Sequence, residues 1–360
     1  MASKSSTVIL PLVLCLCAWW IEGRWNWRNI IRVLPVFLMS VAASALSIWT
    51  QGLQLASVPN SDLVRSWPER LVTAGHAIWF YFGKLLWPHP LVAIYPHWEI
   101  DAGWQVSYLP LLAAIILFLS LLWLLRSRFG HATSRACLFA FAYFVIALLP
   151  VLGLVDNYVF HSSLVFDHFQ YLAGMGPLAL AGAALAWSWK EGIGVSACRR
   201  IGAAAGITGL LMILGMVSYA RARVFESQET LWTDTLAKNP DCWIGHNNLG
   251  LILLKKERVD EAREHFQRAM ELNPNSFLVH ANLGNALFKE GELDQAVVQY
   301  QKATQINPNY FGIHYNLGVA FFRTGQFDQA MTQFEETLRL KPDFGPAKKS
   351  LERLWEESKK

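Results

Sequence analysis

The sequence predicts an all-α protein in two parts, a polytopic bundle of membrane helices followed by an α-solenoid of short helical repeats. Long apolar runs fill the first 220 residues, and most Glu, Lys and Gln side chains come after them. In the second part, prolines recur at an interval of 34 residues, at Pro240, Pro274, Pro308 and Pro342. A period of this length is typical of helix pairs that stack on their neighbours.

The composition of the 360-residue chain supports a membrane part and argues against nucleic-acid binding. Hydrophobic residues make up 53% of the chain, charged residues only 16%, and the mean hydropathy is +0.26. The net charge of +4 is small, and most arginines of the first 220 residues lie in short loops between apolar runs. This placement indicates membrane orientation, so we expect a lipid bilayer and no nucleic acid as partner.

Seven apolar runs predict a multi-pass membrane domain over residues 1–220. They lie near 7–21, 30–49, 71–87, 107–125, 136–155, 171–189 and 201–219. A spanning helix needs about 20 apolar residues. The run 71–87 is unusual because it contains His76 and Lys84 and ends at proline. Its aromatic face predicts an interfacial or re-entrant helix, which leaves about six spans; the face consists of Trp79, Tyr81, Phe82 and Trp87.

Charge in the loops predicts the orientation. Lys and Arg cluster in three loops, whereas residues 88–106 and 156–170 contain neither. If 71–87 does not span, every basic loop falls inside and the repeats lie on the periplasmic or lumenal side of an inner or ER-type membrane. Two alternatives concern the first run: it is a signal peptide, although Trp19 and Trp20 occupy the place of small cleavage-site residues, or Met1 is not the natural start.

The 34-residue period carries a recurring motif. Each first helix contains Asn-Leu-Gly, ending at Gly250, Gly284 and Gly318, and each second helix contains Ala followed four residues later by Phe266, Tyr300 or Phe334. Small residues allow the helices to approach and the aromatic ring fills the space beside them. The pattern identifies three tetratricopeptide (TPR) repeats over 241–342. A linker and half-repeat helix precede them at 221–240, and a capping helix follows at 343–360.

One position of each repeat predicts a peptide-binding groove. Asparagines recur on the first helices, and a basic residue follows each of them seven positions later: Asn248, Asn282 and Asn316, then Lys255, Lys289 and Arg323. A row of amides can pair with the backbone of an extended polypeptide because Asn both donates and accepts. The row resembles the asparagine ladder of O-GlcNAc transferase. Alternatively, the asparagines bond within or between helices and the cations form a solvated face.

The predicted external loops hold the candidate chemistry. One group is His89, His97, Glu99 and Asp101, and the other is Asp156, His161, Asp167 and His168. A carboxylate at a membrane interface can act as a general base or orient a lipid phosphate through a metal. The alternative is that Asp167 caps the following helix and His168 is an interfacial residue. The five cysteines show no metal-ligand spacing, and we predict no metal site within the chain.

Several stretches spread over nearly the whole chain resemble one known family: residues 3–20, Arg70, Tyr81, Lys84, Pro88, Leu91 and Tyr95, residues 149–154 and 167–172, and residues 229–240. They are similar to the transmembrane-and-TPR O-mannosyltransferase family, whose membrane domain is of the GT-C glycosyltransferase type. The resemblance implies transfer of a sugar, mannose in this family, from a polyprenyl-phosphate donor to Ser or Thr of an exported protein. It also makes a divalent metal a candidate cofactor.

Two departures limit that resemblance. Where many relatives have Asp-Arg-Tyr, this chain has Asp167-His168-Phe169. The acidic catalytic loop that follows the first membrane helix of the family has no counterpart, so the resemblance places the start of this sequence at a middle helix. Only a supporting role is implied for Asp167, His168 and Tyr171. The alternative function is a non-catalytic, membrane-anchored TPR scaffold for protein–protein interaction.

Overall fold

The computed structural model describes residues 9–56, 65–126, 131–154, 163–191 and 197–357, and in these ranges the chain forms helices and turns without a strand. The chain divides into two compact units, Met1–Arg221 and Ala222–Lys360. Each unit has its own hydrophobic core. The all-α prediction is confirmed for the described residues.

The first unit is a bundle of eight helices over the described residues. In chain order they are α1 Leu10–Glu22, α2 Trp27–Ala56, α3 Trp67–Leu86, α4 Leu109–Arg126, α5 His131–Leu148, α6 Gln170–Ala173, α7 Met175–Glu191 and α8 Ala197–Val224. The last of these continues three residues beyond the unit boundary.

Four helical segments of the described chain are long and apolar enough to cross a membrane: Trp27–Leu46, Gln105–Leu125, Thr133–Val151 and Ala204–Val224. A fifth candidate is broken, because Asp167–Ala173 and Met175–Trp187 meet at an angle of 53°. Helix α1 has 13 residues, fewer than the roughly 20 that a span requires. Length and composition therefore suggest four or five spans in the described residues, compared with the six that the sequence predicts.

Helix α3 corresponds to the unusual run 71–87, and it lies in the core of the first unit. Its buried residues are Val72, Thr73, Ala74, Gly75, Ala77, Ile78 and Tyr81. At Gly75 a Cβ atom would come within 2.7 Å of the Leu111 backbone nitrogen, so α3 and α4 approach closely there. The prediction that the aromatic face lies at the interface is wrong for Tyr81, which is 0% exposed.

The reason is that the aromatic side chains of α3 have partners inside the unit. The Tyr81 hydroxyl accepts a hydrogen bond from the Phe166 N–H at 3.1 Å, and Trp79 Nε1 donates to the Pro110 carbonyl at 2.8 Å. Of the four predicted aromatic residues, Trp87 is strongly exposed. Helix α3 is not among the span candidates in the described chain.

The second unit consists of eight shorter helices that follow each other at regular intervals. They are α9 Gln228–Lys238, α10 Trp243–Lys255, α11 Val259–Leu272, α12 Phe277–Glu290, α13 Leu293–Ile306, α14 Phe311–Arg323, α15 Phe327–Leu340 and α16 Gly345–Glu357. Each of α10, α12 and α14 packs on the helix that follows it and also contacts its counterpart in the next repeat where one exists. We call these three the A helices, and α11, α13 and α15 the B helices.

The packing within each repeat depends on one glycine and one aromatic ring. A Cβ atom at Gly250, Gly284 or Gly318 would lie 2.7 Å from a ring carbon of Phe266, Tyr300 or Phe334. Real Cβ atoms do not approach a ring this closely, so only glycine fits while the ring stays where it is. The three rings are almost completely buried. This contact fixes which face of each A helix is turned towards its B helix.

A second alanine position, at Ala269 of α11 and Ala303 of α13, is occupied by threonine in α9 and α15, and a local hydrogen bond explains both exceptions. Thr235 and Thr337 occupy the position that is Ala in the two intervening repeats, and both are fully buried. Thr235 Oγ1 donates to the Leu231 carbonyl at 2.7 Å, and Thr337 Oγ1 donates to the Gln333 carbonyl at 2.8 Å. The backbone thus satisfies each buried hydroxyl.

Three of the recurring prolines are each hydrogen-bonded, through the carbonyl oxygen, to a histidine of the following A helix. His246, His280 and His314 place Nε2 between 2.8 and 3.0 Å from the carbonyl oxygens of Pro240, Pro274 and Pro308. Since a carbonyl only accepts, Nε2 carries the hydrogen. The bond joins the turn before each A helix to the helix itself.

We predict that Gly284→Ala destabilises the second unit, because the new methyl group would overlap the buried Tyr300 ring. Overpacking of this kind costs about 1–3 kcal/mol, more than the roughly 1 kcal/mol that alanine gains in helix propensity. Gly345→Ala is the control, since its methyl group meets open space. Thermal unfolding of the full chain, followed by helical circular dichroism, should show a lower midpoint for Gly284→Ala alone. An unchanged midpoint would contradict the packing argument.

Candidate functional site

The asparagines predicted to line a groove lie on the face of the A helices that is turned away from the B helices. Successive residues of an α-helix are rotated by about 100°, so a residue two positions before another lies about 160° away from it. Asn248 stands in this relation to Gly250, which faces Phe266 of α11. Asn282 and Asn316 have the same relation to Gly284 and Gly318. The three side chains therefore share one face of the stack.

Two of these asparagines bridge neighbouring repeats. Asn282 Nδ2 donates to Asn247 Oδ1 at 2.8 Å, and Asn316 Nδ2 donates to Asn285 Oδ1 at 3.0 Å. Each bond uses one of the two N–H groups of the donating amide. The interpretation that these residues bond between helices thus describes part of their role. The second N–H and the carbonyl oxygen of each of the two amides are left for a ligand or water.

The predicted basic residues lie at the C-terminal end of the A helices and are all exposed. Lys289 Nζ forms an ion pair with Glu257 at 2.9 Å, and the Arg323 guanidinium lies 5.9 Å from the centre of the Phe288 ring. An exposed ion pair such as Lys289–Glu257 contributes only about 0–1 kcal/mol to stability. A carboxylate of a ligand can therefore compete with Glu257 for the Lys289 ammonium. Lys255 completes this row.

Sequence reasoning missed Asn247, Asn285 and the hydrogen-bonding role of the Tyr300 hydroxyl. Asn247 is buried and accepts from Asn282, whereas Asn285 accepts from both Asn316 and the Tyr300 hydroxyl, the latter at 2.7 Å. The two asparagines do not recur at the 34-residue period, since Asn285, for example, aligns with Leu251 and Val319. At Tyr300 the ring recurs but the hydroxyl does not. Periodicity therefore gave no signal for them.

A histidine pair distinguishes the first repeat. His280 and His314 place Nδ1 at 2.8 Å from Gln299 and Gln333, whereas His246 Nδ1 lies 2.9 Å from His265 Nδ1. Burial lowers the pKa of both His246 and His265, and the proximity of His246 lowers the pKa of His265 further. Both shifts favour the neutral form of the rings, and the bond takes the place of the His–Gln bond of the other repeats.

In the first unit, Asp167 takes part in a polar cluster with Tyr95. The Tyr95 hydroxyl donates to Asp167 Oδ1 at 2.6 Å and also lies 3.0 Å from the Pro90 carbonyl oxygen. Burial raises the pKa of Tyr95, and the neighbouring carboxylate raises it further. Lys84 donates to the same Pro90 carbonyl, and its ammonium lies 5.3 Å from the centre of the Tyr95 ring.

The interpretation of Asp167 as a helix cap is wrong. The residue begins a short 3₁₀ turn, Asp167–Phe169, whose N-cap position is Phe166, and α6 has no side-chain cap. Asp167 is directed to Tyr95 instead, so it joins the turn to the loop that follows α3. His168 packs its ring 4.4 Å from that of Phe169, and Tyr171 is 71% exposed. The three candidate residues therefore do not converge on one point.

The other loop residues do not assemble into a site in the described chain. Asp101 Oδ1 accepts from the Gly103 N–H at 2.8 Å in a local turn, whereas Asp156 and His161 lie outside the described residues. In the part of the chain that the structure describes, no group of three or more His, Cys, Asp or Glu side chains could hold a metal ion.

Comparison with known proteins identifies the repeats. Family models described as "TPR repeat" match residues 250–291 and 284–325, and one described as "Tetratricopeptide repeat" matches 311–344. These matches confirm the TPR prediction for the C-terminal part of the chain. No curated protein matches the chain. No family match supports the resemblance of the membrane part to O-mannosyltransferases.

Solved structures show likeness to about a third of the chain. The first TPR of Spaghetti (RPAP3), bound to an HSP90 peptide, is 20% identical, with 33% of this chain and 94% of that chain covered and a TM-score of 0.32. A structure of MamA is 23% identical, with 39% and 82% covered and a TM-score of 0.36. The OM64 TPR domain of Arabidopsis is 21% identical, with 31% and 93% covered and a TM-score of 0.31.

Proposed function

We propose that the TPR unit binds an extended polypeptide along the face of the A helices opposite the B helices. The observation that carries the proposal is the row of amides on that face, in which Asn282 and Asn316 each leave an N–H and a carbonyl oxygen unused by the bond to the preceding repeat. A polypeptide backbone offers the complementary carbonyls and N–H groups. Recognition of this kind depends on the backbone and tolerates many side chains in the bound polypeptide.

The basic row supports an additional contact with the same ligand. Lys255, Lys289 and Arg323 follow the asparagines two turns later along each helix, on nearly the same face. Three exposed cations at one rim favour acidic side chains in the bound polypeptide, through charge-assisted hydrogen bonds. We therefore assign these six residues to the peptide site.

We further propose that the first unit anchors the repeats in an inner or ER-type membrane as an integral, multi-pass domain. Four apolar helices of spanning length support this proposal, together with the exposure of large apolar side chains such as Ile116, Leu119 and Trp123 of α4. Exposing large apolar side chains is unfavourable in free energy when they face water, but not when they face lipid. The distribution of Lys and Arg favours a periplasmic or lumenal location of the repeats.

A second candidate function is sugar transfer from a polyprenyl-phosphate donor to a hydroxyl of the bound polypeptide. Its support is that Tyr95 and Asp167, from two stretches that resemble the O-mannosyltransferase family, share a hydrogen bond of 2.6 Å. Here Asp167 and its neighbours have a supporting role. The alternative is a non-catalytic scaffold that presents polypeptides at the membrane.

We predict that the triple variant Asn248→Ala, Asn282→Ala and Asn316→Ala loses peptide binding. The probe is a 12-residue peptide selected from a phage-displayed random library on the full chain in detergent. Removing three amides should weaken binding at least about tenfold, since each lost hydrogen bond typically costs about 0.5–1.5 kcal/mol. Fluorescence anisotropy measures the affinity, and circular dichroism verifies that helicity is kept. The control Thr304→Ala removes a hydroxyl of a half-buried B-helix residue, which donates within its own helix to the Gln301 carbonyl. Equal affinity of the triple variant would refute the groove.

The orientation is tested with single cysteines in intact cells. Ser276→Cys, in the turn before α12, should react with a membrane-impermeant maleimide added from outside. Asn26→Cys, in the loop flanked by Arg24 and Arg28, should react only after the membrane is permeabilised. The unmodified chain controls for its own cysteines, of which Cys242 is buried. The opposite labelling pattern would overturn the proposed orientation.

Sugar transfer is tested in proteoliposomes that contain radiolabelled polyprenyl-phosphate mannose and the selected peptide with an added serine. If the chain has this activity, Asp167→Asn should reduce it at least tenfold, because the amide cannot hold the negative charge that faces Tyr95. Glu99→Gln serves as the charge-matched control. No transfer by the unmodified chain under conditions in which the peptide binds would favour the scaffold.

A further inference from the structure

The middle repeat differs from its neighbours at two positions that meet. Its aromatic slot holds Tyr300 where the other repeats have Phe266 and Phe334, and its A helix has Asn285 where they have Leu251 and Val319. The Tyr300 hydroxyl donates to Asn285 Oδ1 at 2.7 Å. Of the three repeats, the middle one alone has a hydroxyl in the aromatic position and alone has an amide at the position of Asn285. The two polar groups thus occur together.

The Tyr300 hydroxyl determines the orientation of the Asn285 amide. Tyr300 is 2% exposed, and burial raises its pKa, so the hydroxyl stays protonated and needs an acceptor. Within the described chain, Asn285 Oδ1 is the acceptor that the structure supplies. If the amide were turned around, its NH2 group would face the hydroxyl and leave the hydroxyl hydrogen without a partner, at a cost of about 1–3 kcal/mol.

The orientation of Asn285 in turn determines that of Asn316. Asn285 Oδ1 also accepts from Asn316 Nδ2 at 3.0 Å, so both lone pairs of this oxygen are occupied. Asn316 must therefore direct its NH2 group towards Asn285 and present its carbonyl oxygen elsewhere. The buried hydroxyl thus fixes the direction of two amides in adjacent repeats.

The free side of this network faces solvent. In the described part of the chain, the buried side-chain polar atoms without a hydrogen-bond partner belong to Arg135, Gln170, Arg263 and Glu290. Asn285 Nδ2 and Asn316 Oδ1, for which no hydrogen bond occurs among the described residues, are therefore open to solvent. They provide two donors and one acceptor on neighbouring helices.

We propose that Asn285 binds the peptide backbone directly and that Tyr300 is a positioning residue, which gives the groove a fixed donor–acceptor polarity. The inference rests on the proposed peptide-binding function. Asn285 donates to a backbone carbonyl, and Asn316 accepts from a backbone N–H. The pair therefore requires a backbone carbonyl opposite Asn285 and a backbone N–H opposite Asn316, which fixes the register of the bound chain.

The test compares Tyr300→Phe and Asn285→Val, singly and together, for binding of the phage-selected peptide to the full chain. The fold is expected to persist, because other repeats have Phe at the position of Tyr300 and one has Val, at Val319, at the position of Asn285. Tyr300→Phe should weaken binding about threefold to tenfold, in the range of one hydrogen bond. It should have no effect in the Asn285→Val background, because its action requires that amide. Tyr310→Phe, which removes an exposed hydroxyl, is the control.

A second measurement tests the polarity itself. Peptides in which single backbone amides are replaced by esters lose one N–H at a time and keep their side chains. One such ester should weaken binding to the unmodified chain about threefold to tenfold but have no effect on Asn316→Ala. Absence of any such coupled position would contradict the proposed role of Asn316 as acceptor.

The outcomes separate this inference from the function on which it rests. If Tyr300→Phe binds like the unmodified chain while the triple asparagine variant has lost binding, the positioning role is refuted and the groove stands. An equal effect of Tyr300→Phe with and without Asn285 would also refute it, since a general loss of stability would act in both backgrounds. Unchanged binding by the triple variant would overturn both proposals.

Discussion

The contact between one glycine and one aromatic ring in each repeat is the constraint on which the second unit depends. With a Cβ position only 2.7 Å from the ring, Gly250, Gly284 and Gly318 hold the A and B helices at a distance that no other residue permits. The same contact sets the rotation of each A helix about its own axis. It therefore turns the asparagine face outwards in all three repeats, and the candidate site is a consequence of how the repeats pack.

The first unit depends on a buried helix in an analogous way. Helix α3 carries the polar partners that hold the surrounding loops: Trp79 binds the start of α4, Tyr81 binds Phe166, and Lys84 binds the Pro90 carbonyl. At the opposite end, Arg70 donates to the Leu154 carbonyl at 3.3 Å. An amphipathic helix with this many internal partners is better explained as the core of the unit than as a helix lying at a lipid surface.

The sequence predicted what is periodic or local and missed what is neither. The TPR helices, the Gly–aromatic contact and the asparagine row all follow from residues that repeat at 34-residue intervals. The apolar runs likewise predicted the helices of the first unit, because length and hydrophobicity are local properties. In contrast, the Tyr95–Asp167 bond joins residues 72 positions apart and leaves no trace in either pattern. The Tyr300–Asn285 pair was missed because it breaks the repeat instead of following it.

The central claim is that the asparagine face of the A helices binds polypeptide. Leu278 and Val298 provide a matched pair of positions in the middle repeat, because both are exposed apolar residues, 44% and 58% respectively, on α12 and α13. Leu278 lies one turn before Asn282 on the same face, whereas Val298 lies on the far side of its B helix, about 160° from Tyr300. A photoreactive benzoylphenylalanine at each position, irradiated with the selected peptide, reports contact directly. We expect cross-linking from position 278 and none from position 298. Cross-linking from 298 alone would contradict it.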